Sequence, residues 1–374
     1  MISSITNCYD PAAKRPKLDV ERVFLYRPET EWTYSHHPSL AFFRGRYYAV
    51  WSNGRRDEDA PGQRLLLSTS TDFRTWTEPA PLVDTLPGRH SDLVLTAAGF
   101  HQHEGTLVAY FGQYEYRPDS LAGNERKSPS DRGHQDTCLR ARTTTDGETW
   151  SEVLEMGVPI VPNHPPQPTA SGRLIISGNV MFPYTDDPAG LTGWTPAGIY
   201  PPDLAGRLVD DSETFHIVRE RAGWPVGLCE GSFYQTDDRT LHMLLRSGTH
   251  RLWVSESADD GTTWSEPVET AFTDNVSKFH CGRLPDGRFY CVSTPDPEPR
   301  SARCPLVIAL SEDGARFDRN CILADEPYEQ KRPGMHKGGE YGYPHTLIHE
   351  GHLCVIISRQ KEAVEVLRVP LSSL

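Results

Sequence analysis

The chain has 374 residues, of which 51 are acidic and 38 basic, giving a formal net charge of −13. That charge opposes broad affinity for nucleic acid or for anionic membranes, so an anionic substrate needs a locally basic pocket. The eight cysteines show no CxxC spacing, which predicts free thiols and indicates neither a zinc site nor a disulfide scaffold.

The N-terminal segment lacks the apolar core that signal peptides need, and no run of the sequence reaches membrane-spanning length. We therefore predict a cytoplasmic protein for the sequence as written, or a secreted or periplasmic one if a leader was removed. No motif requires a cofactor or predicts a metal site, and a structural divalent cation is compatible with the sequence.

Residues 35–76 hold the first complete copy of a unit that recurs along the chain. Its pattern predicts a β-hairpin, a third strand and a closing turn, at residues 40–52, 63–69 and 70–76. In the closing turn, the Asp72 side chain is expected to bond backbone N–H groups two residues on, and Trp76 to pack over the turn.

The closing turn and the hairpin both recur. The turn returns at residues 145–150, 259–264 and, in degenerate form, 311–317. The hairpin occurs in six places, at residues 45–48, 105–108, 172–175, 238–241, 287–290 and 351–354. These repeats predict an all-β fold, a single β-propeller domain spanning residues 1–374, with its ring closed by terminal strands at residues 20–26 and 364–369. Six repeats are counted, and residues 183–224 are long enough to hold a degenerate seventh.

The mouth of a propeller is lined by residues at the starts of the first strands and at the ends of the second strands of its repeats. Those positions are rich in His, Tyr and Arg in this sequence and include His36, His37, Asn53, Arg55, His164, Gln167, Glu230, Arg246, His280 and Tyr343. Such a lining suits an acidic sugar, because Arg and His offset its carboxylate while His or Tyr moves protons. A structural alternative exists for each residue: a hydrogen-bonded histidine, or a plain ion pair for Glu230 and Arg246.

The repeated turns match the Asp-box pattern, and the whole chain resembles the sialidase superfamily. The Glu230/Arg246 hairpin and the loop at residues 59–62 add to that resemblance. It implies that Asp59 is the acid/base, Glu230 a helper glutamate, Arg246 a carboxylate-binding arginine and Tyr343 the nucleophile. Sialidases use three such arginines. Here His36-His37-Pro38 stands in place of the first, and no third arginine is found where its repeat ends at residues 293–295.

A second resemblance rests on the motifs at residues 36–39, 51–55, 163–164 and 167–168. These motifs are similar to those of a different branch of the sialidase-like propellers, which contains rhamnose–glucuronate lyases, ulvan lyases and related α-L-rhamnosidases. The resemblance implies a seven-bladed propeller in which a funnel histidine carries the proton transfer. We therefore predict seven blades, although six repeats are counted.

On this basis we predict a polysaccharide lyase that acts by β-elimination at a uronic acid, of rhamnose–glucuronate type. Elimination needs a neutralised carboxylate, a base at C5 and an acid at the departing O4. The predicted catalytic residues are His37, His36, Tyr343, His164 and Arg246, and the predicted substrate-binding residues are Asn53, Arg55, Gln167, Glu230, His280 and Asp59. His37 ranks before His36 because it abuts the strand. His36 is the close rival, since neighbours on a strand face opposite ways and only one of the two can enter the funnel.

Two other functions stay open. An exo-glycoside hydrolase, either an α-L-rhamnosidase or sialidase-like, would use two carboxyl groups, such as Asp59 and Glu230, or tyrosine with one of them. A glycan-binding propeller without catalysis would show the same repeats. The predicted partner is an acidic oligosaccharide or polysaccharide, with no nucleic acid and no membrane, and the chain is predicted to be monomeric.

Overall fold

A computed structural model describes residues 3–123, 125–128, 133–200, 227–334 and 336–374. Within these ranges the protein is almost entirely β-structure, and its two helices are single 3-10 turns, Pro118–Ser120 and Leu371–Ser373. No helix among the described residues is both long and apolar enough to cross a lipid bilayer.

The strands of the described residues form six antiparallel sheets, numbered I to VI along the chain, and a small ribbon. The first strand, which belongs to sheet VI, is β1 (Glu21–Tyr26). Sheet I contains β2 (Tyr34–Phe43), β3 (Arg46–Gly54), β4 (Arg64–Ser70) and β5 (Ala80–Val83). Sheet II contains β6 (Val94–His103), β7 (Thr106–Tyr116), β10 (His134–Thr144) and β11 (Leu154–Glu155), and the ribbon contains β8 (Leu121–Ala122) and β9 (Glu125–Arg126).

The second half of the chain supplies the remaining sheets. Sheet III contains β12 (Gln167–Pro168), β13 (Leu174–Ile175) and β14 (Tyr184–Thr185). Sheet IV contains β15 (Cys229–Gln235), β16 (Leu241–Arg246), β17 (Arg251–Ser257) and β18 (Val268–Thr273). Sheet V contains β19 (His280–Arg283), β20 (Phe289–Ser293), β21 (Leu306–Ser311) and β22 (Arg319–Ala324). Sheet VI contains β23 (Gly342–His349), β24 (His352–Arg359) and β25 (Ala363–Pro370), with β1.

The sheets pack face against face in succession, as the blades of a β-propeller do. The first strands contact one another in the order β6, β2, β23, β19 and β15. Apolar side chains fill the space between neighbouring sheets: Trp51 and Leu66 of sheet I meet Ile356 and Val364 of sheet VI. Burial of such side chains stabilises the assembly because it removes apolar area from water. The predicted all-β propeller class is thus confirmed.

The Asp turns adopt the predicted hydrogen bonding. The carboxylate of Asp72 accepts the N–H groups of Arg74 at 2.8 Å and Thr75 at 2.7 Å, and the Trp76 indole bonds the carbonyl of Phe73 at 2.9 Å. Gly147 of the second turn has φ +82°, and a Cβ there would lie only 2.0 Å from the Tyr48 hydroxyl. Glycine is therefore required at that position both for conformation and for space.

The two chain termini share one sheet, because β1 pairs with β25 in sheet VI. Six sheets are present in the described part of the chain. Of the segment predicted to hold a seventh blade, β14 belongs to sheet III, and residues 201–226 lie outside the described residues. All eight cysteines are free thiols, as predicted.

Candidate active site

Three sheets begin with the same irregularity, which places one side chain of each at the mouth. The strand register shifts between His36 and Ser39, between Cys229 and Ser232, and between Gly342 and His345. In each bulge the first unpaired residue has φ +54°, and these residues are His37, Glu230 and Tyr343. Left-handed backbone at a non-glycine residue is uncommon and costs energy, and it is concentrated at functional sites. Proline can follow His37 and Tyr343 because the bulge demands no backbone N–H there.

Tyr343, Glu230 and Arg246 form a hydrogen-bonded triad. The Tyr343 hydroxyl donates to Glu230 Oε1, and Arg246 Nη1 donates to Glu230 Oε2 at 2.7 Å and to the Tyr343 oxygen at 2.9 Å. Burial raises the pKa of Glu230, but Arg246, the Tyr343 hydroxyl and Arg303 together outweigh burial and hold that pKa below its ordinary value. Burial and the Glu230 carboxylate raise the pKa of Tyr343 well above 10. The phenol is therefore protonated and Glu230 ionised at neutral pH.

Both histidines of sheet I lie against Tyr343. Their ring centroids are 3.9 Å (His36) and 5.1 Å (His37) from the Tyr343 ring. Both imidazoles reach the Tyr343 ring because the bulge after His36 breaks the alternation of a regular strand, but His36 is fully buried and His37 keeps some exposure. Burial lowers the pKa of His37 to about 4, against the opposing effect of Glu58 and Asp59.

Glu58 faces both imidazoles. Its Oε1 is 3.7 Å from His36 Nε2 and 3.9 Å from His37 Nε2, while its Oε2 accepts a hydrogen bond from Lys361 Nζ at 2.6 Å. Among the described residues these two histidines and Glu58 are the group that could hold one metal ion. Sequence reasoning missed both Glu58 and Lys361. Two features of the sequence could have indicated them. Glu58 is the neighbour of Asp59, which was predicted to lie at the site. Lys361 comes shortly after the second strand of its sheet, β24, and Arg246 likewise stands at the end of a second strand, β16.

Arg303 is a second arginine at the site that the sequence analysis missed. Its guanidinium lies over the Tyr343 ring, 5.4 Å from the ring centroid, and its Nη2 donates to the Val276 carbonyl at 3.3 Å. The buried Nε and Nη1 have no hydrogen-bond partner in the described part of the protein. Arg303 lies next to the end of the insertion at residues 295–304. The length of this insertion between β20 and β21 was the feature of the sequence that could have indicated a functional residue there.

Lys278 adds a further cationic group below Tyr343. Its Nζ donates to the Asn163 carbonyl at 2.6 Å and lies 5.3 Å from the Tyr343 ring centroid. Burial lowers the pKa of Lys278 to about 7, although Glu230 raises it. Burial also raises the pKa of Asp274 to about 7, so two groups near the site titrate close to neutrality.

Asp59 completes the group at the mouth. It has φ +60°. Its carboxylate adds to the rise that burial causes in the pKa of Tyr114, and it partly opposes the lowering that burial causes in the pKa of His37. The predicted residues that the structure brings together are therefore His36, His37, Asp59, Glu230, Arg246 and Tyr343.

The other predicted site residues lie elsewhere. Asn53 is fully buried and bonds the Tyr34 carbonyl at 2.9 Å, so it supports the backbone. Arg55 is exposed and lies over Trp32. His164 is buried below the mouth, 4.9 Å from His280 between ring centroids. His280 and Gln167 line a cavity of about 660 Å³ at the opposite end of the first strands. The structure does not bring these five predicted site residues together with Tyr343.

Comparison with protein families gives one match over most of the chain. The model of the BNR repeat-like domain matches residues 45–355. A search of curated protein sequences found no match.

Solved structures provide several similar folds. A sialidase is 19% identical with a TM-score of 0.64, over 96% of this chain and 33% of its own. A protein of unknown function from Dyadobacter fermentans is 16% identical with a TM-score of 0.65, over 94% of this chain and 99% of its own. The intramolecular trans-sialidase from Ruminococcus gnavus is 14% identical with a TM-score of 0.60, over 94% and 97%. The chain thus spans a third of the first protein and nearly all of the other two.

Proposed function

Because this chain belongs to the family of BNR repeat-like domains, we propose that it is a carbohydrate-active enzyme: a retaining glycoside hydrolase acting on sugars that carry a carboxylate. One observation carries the proposal. The Tyr343 hydroxyl is hydrogen-bonded to an ionised Glu230 that Arg246 holds in place. A nucleophile paired with an oriented base is the arrangement that covalent catalysis requires.

In the proposed first step, the Tyr343 oxygen attacks the anomeric carbon while its proton passes to Glu230. Asp59 donates a proton to the departing glycosidic oxygen, and the aglycone leaves. In the second step Asp59 takes a proton from water, and that water attacks the anomeric carbon. The Tyr343 oxygen departs and recovers its proton from Glu230. Two displacements retain the anomeric configuration.

An uncharged nucleophile has a physical advantage for an anionic sugar. A carboxylate nucleophile would repel the sugar carboxylate, whereas a phenol does not, and the repulsion between two charges grows as water is excluded. Arg246, Arg303 and Lys278 surround the same ring and provide positive charge. They suit the binding of a carboxylate, since guanidinium groups form charge-assisted bonds with it.

The geometry favours hydrolysis over the β-elimination predicted from the sequence. Elimination requires that the uronate carboxylate be neutralised so that the C5 proton becomes acidic. In an elimination, the ionised Glu230 would place a second negative charge beside the sugar ring, which opposes the neutralisation of the uronate carboxylate. Hydrolysis instead uses Glu230 directly, as the base for Tyr343.

One assay separates the candidate functions. The purified protein is incubated with aryl glycosides of glucuronic acid and of N-acetylneuraminic acid, with the aryl glucoside as the neutral control, and with gum arabic and ulvan. We expect release of the aryl alcohol from an acidic glycoside with retained configuration, and none from the glucoside. A rise in the ultraviolet absorbance of an unsaturated uronate would instead identify a lyase. Binding of the acidic sugars without any cleavage would identify a glycan-binding propeller.

A further inference from the structure

We propose that His36, His37 and Glu58 bind one divalent transition-metal ion at the mouth, and that this ion contacts the carboxylate of the sugar. The role of the ion rests on the proposed function, whereas its binding does not. Two imidazoles and one carboxylate are a recurring ligand set for first-row metals and leave other coordination positions open.

The three donor atoms already converge. The ligand atoms of His36, His37 and Glu58 all lie within 4.8 Å of one another, and Glu58 Oε1 is 3.7 and 3.9 Å from the two Nε2 atoms. Bonds of about 2.1 Å in a tetrahedral arrangement place ligand atoms about 3.4 Å apart. The two contacts to Glu58 are within about half an ångström of that separation, and the ligand atoms of the two histidines are at most 4.8 Å apart, so the side chains must move together to close the site around an ion.

The hydrogen bonds of His36 support ligation. Its Nδ1 is 2.6 Å from Ser358 Oγ, and that hydroxyl donates to the Gly342 carbonyl at 3.3 Å. Ser358 therefore accepts the proton of Nδ1, and the lone pair of His36 is on Nε2. This Nε2 is fully buried and has no hydrogen-bond partner within the described residues, and it faces a carboxylate oxygen. A metal cation between these two facing acceptors would satisfy both.

His37 and Glu58 have matching supports. His37 Nδ1 is 3.2 Å from Ser52 Oγ, an outer partner of the kind that orients metal-bound histidines. Lys361 occupies Glu58 Oε2, and Oε1, which accepts a long hydrogen bond from the Tyr34 hydroxyl at 3.5 Å, is the oxygen that faces the two imidazoles. The carboxylates of Glu58, Asp59 and Glu230 act on His37 and favour a cation there, whereas Lys278, Lys361 and Arg303 oppose it.

The position of the site explains a gap at the mouth. His36 and His37 stand where sialidases are expected to carry the first of three carboxylate-binding arginines, and Arg246 and Arg303 are present opposite them around Tyr343. An ion at this position supplies the missing positive charge. The side chains of His37 and Glu58 are 12% and 18% exposed, so a substrate oxygen has access to the ion.

Binding is tested on protein stripped with a chelator and then freed of it. Co²⁺ is titrated in while its visible absorption is recorded, and Zn²⁺ is titrated by calorimetry. We expect one ion per chain. His37→Ala should weaken binding by at least about 100-fold, and so should Glu58→Gln, which keeps the shape of the side chain. His103→Ala, at the surface pair with Glu104, is the control and should leave the affinity unchanged.

Absence of stoichiometric binding by the wild-type protein overturns the proposal, as does binding that survives Glu58→Gln but is lost in His103→Ala. The role of the ion is read from the Co²⁺ spectrum, which should change on addition of glucuronate and not of glucose. An unchanged spectrum overturns that role. If the stripped protein cleaves the acidic glycoside at an unchanged rate, the inferred role of the ion fails while the proposed function stands. If Co²⁺ binds at His37 but no glycoside is cleaved, the inferred metal site stands and the proposed function fails.

Discussion

Replacing Arg303 by methionine should weaken the binding of a sugar carboxylate and leave the chemistry of bound substrate nearly intact. Two buried guanidinium nitrogens, Nε and Nη1, have no partner in the described structure and lie beside Tyr343. A bound carboxylate can accept hydrogen bonds from both. Each bond to a charged group contributes about 1.5 to 3 kcal/mol, so the pair contributes at least about 3 kcal/mol. At about 1.4 kcal/mol per factor of ten, the dissociation constant should rise about 100-fold.

The assay compares glucuronic acid and N-acetylneuraminic acid with their methyl esters, by calorimetry or by inhibition. The wild-type protein should prefer the acids, and Arg303→Met should lose most of that preference. Arg300→Met is the matched control, because Arg300 belongs to the same insertion and is exposed near His250. The reasoning is refuted if Arg303→Met binds acid and ester as the wild-type protein does, or if Arg300→Met shows the same loss.

Three further outcomes are expected. Tyr343→Phe should lower kcat about a thousandfold or more, with the affinity for a sugar acid retained, and a variant that keeps its turnover would contradict the nucleophile assignment. Asp59→Asn should slow cleavage of an oligosaccharide by about 10²- to 10⁴-fold, and much less for an aryl glycoside whose leaving group needs no proton. Equal losses on both substrates would argue against an acid role. Lys278→Met should raise the free energy of unfolding at pH 7 by about 2 kcal/mol. Burial lowers the pKa of Lys278 from 10.5 to about 7, and removing that buried charge contributes about 4 kcal/mol. The Asn163 carbonyl loses its hydrogen bond, which costs about 2 kcal/mol. The folded state disfavours the charged lysine, so the gain is present below about pH 7 and disappears as the pH rises toward 10. Denaturant unfolding at several pH values measures it, and a gain that does not depend on pH would refute the assignment.

The sequence by itself determined the features that depend on residues close together in the chain. The Asp turns are set by hydrogen bonds that reach only two to four residues, such as those of Asp72, so their composition predicts them. The hairpins follow from turn residues and from strands with β-branched and aromatic side chains. A resemblance in local motifs also selected Glu230, Arg246 and Tyr343, which the structure brings into one triad.

Only the tertiary structure decided which mouth positions meet. Tyr343 and Glu230 are 113 residues apart and touch because sheets IV and VI both open on the axis of the propeller. Local periodicity could not locate the bulges that bring both His36 and His37 against Tyr343, since a bulge interrupts the two-residue period on which strand reasoning depends. Arg303 reaches the site from an insertion with no strand pattern. Its direction is set by long-range packing, and no spacing in the chain encodes that.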